Sequence, residues 1–278
     1  MSTVAASVIL HPKVGQVLAL LATTVGRDKV GTLAATYRGG AKHEAQTYRL
    51  IQYLARLISW SLLRRGSIDA AARWDGLKLG LAGGRKMLRI FKPIEHLQSA
   101  MNLAQRPITN LNGPGQLAQV TQLGRQLAYA GFLGTDMLVW LNSVRFLRYD
   151  KDRLAKLSRL SNKLWISGIF LSLISTTSSL IKLRSDSRRF ALSAQIARRE
   201  GEKRPEDEAE RRERGRALLS QRQTILSQLI MDSCDVWIPA NNLGYSNLNE
   251  GVIGVLGATT SYMALQTQWL KHRAAKKL

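Results

Sequence analysis

Apolar residues recur at helical spacing along most of the chain, and sustained alternation closed by Asn-Gly turns, the mark of paired strands, is absent. An all-α fold follows. The helical pattern is clear at 14–25 and 48–63, and Asn112-Gly113-Pro114-Gly115 breaks it before a further block that begins near Gln116. Two stretches, 164–181 and 251–270, carry no charge at all. As a helix the first rises about 27 Å, just short of a hydrocarbon core of roughly 30 Å, and the second is long enough to cross. In the first, Gly168, Ser172, Ser175, Thr176 and Ser179 share one face, opposite Ile166, Phe170, Ile174 and Ile181. In the second, Gly254, Ala258 and Ser261 form a small-residue ridge, with Tyr262 and Trp269 toward the end. Small faces of this kind pack against helices while larger apolar faces meet lipid, so the two ridges are expected to pack together. The competing reading, two buried helices of a soluble α-protein, sits poorly with charge exclusion across both stretches.

A third pattern is amphipathic. Residues 83–101 read GGRKMLRIFKPIEHLQSAM, and on one helix Met87, Ile90, Phe91, Ile94, Leu97 and Met101 fall opposite Arg85, Arg89, Lys92 and His96, with Lys86 beside them. A basic amphipathic helix lies in the membrane interface, and its wedge-like side chains expand one leaflet relative to the other. Pro93 removes one backbone hydrogen bond and is expected to bend the helix. An ordinary core helix with a solvated basic face shows the same periodicity; the neighbouring spans favour the interfacial reading.

Charge sharpens the layout. The 278 residues hold 41 Lys and Arg against 19 Asp and Glu, a net +22 that calls for a polyanionic partner, either nucleic acid or an anionic lipid surface. Residues 1–163 carry 24 basic against 8 acidic side chains, 182–250 carry 13 against 11, and 271–278 carry 4 against none. The chain thus divides into a basic helical region (1–163), a first span (164–183), a charged polar loop on the lumenal, non-cytosolic side (184–247), a second span (248–270) and a basic tail (271–278). Basic residues concentrate on cytosolic flanks, and 145–163 is dense in them, which places both termini in the cytosol.

Chemistry-bearing motifs are missing. The sequence has no Walker loop, GxSxG elbow, HExxH helix or CxxC pair, and one cysteine with four scattered histidines makes no metal site. No catalytic residue, metal or cofactor is expected. Nucleic-acid binding fits the basic charge, but two uncharged spans and the lack of a binding motif argue against it. The C-terminal Lys276-Lys277-Leu278 lacks the small residue that opens an S-K-L import signal, so targeting is expected to rely on internal segments.

Several words then take on meaning together: Gly26-Arg27-Asp28-Lys29-Val30, Tyr48-Arg49-Leu50-Ile51-Gln52-Tyr53, Gly84-Arg85-Lys86, Asp136-Met137-Leu138-Val139-Trp140-Leu141 and Cys234-Asp235-Val236-Trp237-Ile238-Pro239-Ala240-Asn241. In this order, over nearly the whole chain, they resemble the fungal-type peroxin-eleven family. The resemblance implies a peroxisomal membrane protein that drives elongation, proliferation and fission of the organelle, with 83–101 as its curvature-generating helix. It also implies homo-oligomers and a link to the organelle-fission machinery, a dynamin-related GTPase and its membrane adaptor. Channel activity for small solutes is the alternative that it carries. One departure stands out: 31–47 intervenes between two words that the family runs almost together. It is expected to split the first helix, either as a retained short intron, the preferred reading, or as a divergent loop.

Overall fold

A computed structural model describes residues 27–107, 113–199 and 205–275. The pattern at 14–25 and the last residues 276–278 lie outside them. Every element among the described residues is a helix: α1 (Arg27–Arg64), α2 (Ile68–Met87), α3 (Lys92–Ala104), α4 (Gly113–Ser143), α5 (Lys151–Arg199), α6 (Pro205–Asp235), α7 (Trp237–Asn242) and α8 (Glu250–Ala275).

α1 runs unbroken through 31–47, so the expected interruption is not there. Gly31, Gly39 and Gly40 each cost about 1 kcal/mol in a helix relative to alanine, but Ala34, Ala35, Ala41 and Ala45 in the same stretch are the strongest helix formers. The helix ends where Gly66 takes φ 80°, with the Ser67 N–H reaching back to the Leu62 carbonyl and the Gly66 N–H to that of Leu63. The same closure ends α7 at Gly244. It ends α4 at Arg145, which adopts φ 63° without glycine's freedom.

Two antiparallel seams organise the helices. In one, Gly251, Gly254 and Gly257 of α8 press against Trp60, Leu57 and Tyr53 of α1, and a methyl group on Gly257 or Gly251 would overlap the facing ring. Glycine is required there because the two backbones approach so closely. In the other, Gly124 and Gly131 of α4 accept Leu171 and Leu164 of α5, while Gly168 sits against Tyr129 and Ala128. The small faces of α5 and α8 therefore pack on α4 and α1, not on each other as expected. The face of α5 meets the helix just before it, whereas that of α8 meets a helix from the other end of the chain.

Only α5, among the described residues, is long and apolar enough to cross a bilayer. Phe170, Ile174 and Ile181 on it are exposed, while Gly168, Ile169, Ser172 and Ser175 are buried. The second expected span, within α8, falls short because Thr259, Thr260, Ser261, Gln266, Thr267 and Gln268 dilute its apolar residues. The segment expected to be a polar loop over 184–247 is mostly helical. Leu183 and Ile225 are buried, and Phe190 covers Gly215, so enough apolar residues are interleaved with the charges to dock one arm on the other. Ser172 bonds Asp232 and Asn242 bonds Asn162, which carries α6 and α7 back alongside the uncharged stretch of α5. Residue 242 thus returns to the level of 162, and only the hairpin formed by 184–199 and the first half of α6 projects beyond.

Candidate functional site

The amphipathic segment 83–101 is not one helix. Pro93 has no N–H, and its ring collides with the carbonyl of Arg89, so α2 stops at Met87 and α3 starts at Lys92. Tight i to i+3 bonds join them, Arg89 N–H to Lys86 O, Ile90 to Met87 and Lys92 to Arg89. This corner sorts apolar from basic as the sequence does, but its facing is reversed. Met87, Phe91 and Ile94 are exposed, Ile90, Leu97 and Met101 are half-buried, and the cations turn inward. Lys86 and Arg89 clasp Asp136 of α4 at 2.8 and 3.0 Å, and Arg85 donates to Gln52 of α1. Arg85, Lys86 and Arg89 are therefore half-buried and partnered within the protein, where periodicity alone led one to expect a solvated basic face. Exposed cations do exist next to the uncharged stretch of α5: Arg145, Arg148, Lys151, Arg153, Lys156, Arg159 and Lys163 all face outward.

The inward cations line an open cavity of about 610 Å³ to which every helix from α1 to α8 contributes. α1 contributes Arg49 and Arg56, α2 and its corner contribute Arg85, Lys86 and Arg89, α3 gives Lys92 and His96, and α4 gives Arg125. Three carboxylates share the lining with these seven permanent cations, Asp136, Asp232 and Asp235, and a fourth, Glu250, pairs with Arg56. Asp235 accepts from Arg49 at 2.6 Å and from Thr260 at 2.7 Å. Asp232 accepts from Ser172 and from Gln228. Arg85 has only a neutral amide, and Arg125 stacks over Tyr129 at 5.3 Å while its Nε is buried without a hydrogen-bond partner.

The electrostatic strain is concentrated at Arg85. Burial, and then the neighbouring Arg89, push it from its ordinary 12.5 down to about 9. Burial also lowers Arg89, opposed by Asp136, and it pushes Tyr129 up to about 12. A guanidinium essentially never gives up its proton, so a crowded and buried one attracts an anion instead. Aromatic walls lie close by, with Phe132 stacked on Trp165 at 5.1 Å and His96 stacked on Tyr129 at 5.5 Å.

The expected packing residues divide between the seams. Ser175 donates to the Ala118 carbonyl, Thr176 to its own helix, and Ser175, Thr176 and Ser179 edge a second hollow of about 370 Å³ that shares Arg125 and Gln228 with the larger one. Gly254 meets Leu57, Ala258 packs beside Tyr53, Ile238 and Ile253, and Ser261 is buried on the Gly257 carbonyl. Sequence reasoning missed Gly251 and Gly257, whose three-residue spacing with Gly254 was the available signal. It also missed Arg125 and Asp232, for which pattern offered none, and Arg49 and Asp235, whose only signal was their place in two of the family-like words.

The sequence model described as peroxisomal biogenesis factor 11 matches residues 41–269. The chain is 26% identical to the peroxisomal membrane protein PMP27 of Saccharomyces cerevisiae over 95% of its length and 97% of that protein's. It is 21% identical to peroxisomal biogenesis factor 11 of Schizosaccharomyces pombe, over 81% of the chain and 89% of the relative. The peroxisomal membrane protein PMP30B of Candida boidinii is also 21% identical, covering 94% and 96%. No solved structure matches the chain.

Proposed function

The chain belongs to the peroxisomal biogenesis factor 11 family, and on that premise we propose that it sits in the peroxisomal membrane and promotes elongation, proliferation and fission by wedging apolar side chains into one leaflet. The observation that carries this reading is the outward display of Met87, Phe91 and Ile94 at a corner whose cations are held inside. A large part of each side chain's surface faces outward, and burying it in acyl chains yields up to about 1.5–3 kcal/mol. α5 anchors the wedge through its apolar face, and the outward cations of 145–163 hold anionic headgroups at about 1 kcal/mol each. Cytosolic termini follow from that basic flank. Self-association and recruitment of a dynamin-related GTPase with its adaptor complete the proposed cycle.

The test separates attachment from bending. The chain is reconstituted in anionic vesicles, with Phe91→Ser/Ile94→Ser in one variant and Arg148→Glu/Lys151→Glu/Lys156→Glu in another. The first should remain bound but lose tubulation, and the second should dock weakly and more so as salt rises. Parent-like tubulation by the serine variant would overturn the wedge. Channel activity is the second reading, favoured by the Ser/Thr-edged hollow that shares Arg125 and Gln228 with the main cavity. Solute flux that survives in the serine variant would support it.

A further inference from the structure

The turn between α1 and α2 belongs neither to the wedge nor to the cavity. It reads Leu63-Arg64-Arg65-Gly66-Ser67-Ile68, and Ser67 is the one serine or threonine of the sequence with a cation at both the second and the third position before it. Arginine-directed serine kinases read those two positions with carboxylates, and an apolar side chain directly after the acceptor fits a pocket beside their active site. Ser59 and Ser161 each follow a single such arginine, Arg56 and Arg159, and both are buried. Ser67 is exposed, as are Arg64, Arg65, Gly66 and Ile68, the last of them 70%.

A kinase takes its substrate in extended form, so the turn must also open. Arg64 ends α1, and the N–H groups of Arg65, Gly66 and Ser67 close that end on the carbonyls of Leu62 and Leu63. These bonds lie at a helix end where water replaces them as the last turn frays, and open space surrounds Gly66. Arg64 also gives up its place over the Trp60 ring, 5.2 Å away. Just beyond the turn, Ala71 is fully buried and its carbonyl accepts from Ser59, which keeps the opening local. The closed turn then has room for the product. Ser67 is the N-cap of α2, and its hydroxyl makes no capping bond to the N–H groups of the first helical turn. A phosphate there meets a helix N-terminus beside Arg64 and Arg65, with Asp69 the opposing carboxylate in that turn.

We propose that Ser67 is a phosphoacceptor for an arginine-directed serine kinase. The Ser67 Oγ bonds to the γ-phosphorus of adenosine triphosphate, the bond from that phosphorus to its bridging oxygen breaks, adenosine diphosphate leaves, and the hydroxyl proton passes to the kinase. The added charge, about −1.5 to −2 at neutral pH, offsets the two arginines of the turn. The acceptor is independent of the outward apolar corner, whereas its access to cellular nucleotide rests on the cytosolic placement of the N-terminal region proposed above.

The full chain, purified in an uncharged maltoside, is incubated with the catalytic subunit of cyclic-AMP-dependent protein kinase, magnesium and γ-labelled adenosine triphosphate, and the acceptor is located by peptide mass spectrometry. Stoichiometric label at Ser67 is expected, and it should be absent from Ser67→Ala. The kinase's kcat/KM should fall at least about tenfold in Arg64→Gln/Arg65→Gln, while Lys151→Gln on the exposed flank should leave it unchanged. Because the Ser67 hydroxyl caps nothing, Ser67→Ala should unfold close to the parent temperature, so that its lost label reports the acceptor and not the fold. In a second arm the kinase and nucleotide are added outside intact peroxisomes. Label without detergent supports the acceptor and the cytosolic placement together; label only after detergent supports the acceptor and overturns the placement. Ser67 unlabelled in the solubilised chain, or labelled at the parent rate without the two arginines, overturns the proposal. If the arginine variant does not fold, the mapped site in the parent and in Ser67→Ala decides.

Discussion

Two sets of side chains on α1 have been built to opposite rules. In one, Tyr53, Leu57 and Trp60 meet the glycines of α8 with no room for a methyl group. In the other, Arg49, Gln52 and Arg56 line a polar cavity with more cations than carboxylates. The first set owes its fit to close approach of backbones and tolerates no added atom. The second tolerates empty volume, but is sensitive to the loss of any negative charge. The comparison teaches that close packing and open, charged volume can be interleaved on one side of a helix, a few residues apart.

The largest effect is expected where the two sets meet. Asp235→Ala strands Arg49 and leaves Thr260 without its acceptor, and should cost about 3–5 kcal/mol in chemical unfolding of the detergent-solubilised chain. A cost below about 1 kcal/mol would dissolve the distinction. On the cavity side, Asp136→Ala should cost about 2–3 kcal/mol by freeing both Lys86 and Arg89, whereas Arg89→Met should cost less than about 1, because Asp136 keeps Lys86. Equal costs would mean that no cation surplus exists. On the seam, Gly257→Ala should lose about 1–3 kcal/mol despite alanine's better helix propensity, and much of that should return when Tyr53→Ala makes room. The smallest effect concerns Arg56–Glu250, which joins α1 to the start of α8 with the carboxylate half exposed. Its hydrogen bond to Arg56 lowers the Glu250 pKa below 4.5, so the stabilisation is present above 4.5 and fades as pH falls through the folded value. Parent and Glu250→Gln should differ by about 0.2–1 kcal/mol at pH 6 and converge in acid.

Helical class, the uncharged stretch of α5 and the outward basic flank before it were all legible, because each depends on local composition and on a period of 3.6 residues. Facing was not. In 83–101 the periodicity separates Met87, Phe91 and Ile94 from Arg85 and Arg89, but what turns the basic side inward is Asp136, 47 positions from Arg89. The same limit applies to α8, whose small residues announce a close partner without naming α1. The return of α6 along α5 was hidden for a further reason: balanced charges over 184–216 read as solvated, although Leu183, Phe190 and Ile225 were enough to pair the arms.

The length of α5 has a consequence for reach. Its 49 residues rise about 74 Å, far more than a bilayer of roughly 30 Å takes up. With 164–181 set across the membrane, residues 182–199 extend about 27 Å past it as a rigid mast. Ionic screening at physiological salt has a decay length of about 8 Å, so the end of the mast stands more than three decay lengths from the headgroups. Charges there neither feel the surface potential of their own membrane nor contribute to it. Their signs are legible only to something that comes within contact distance on the far side.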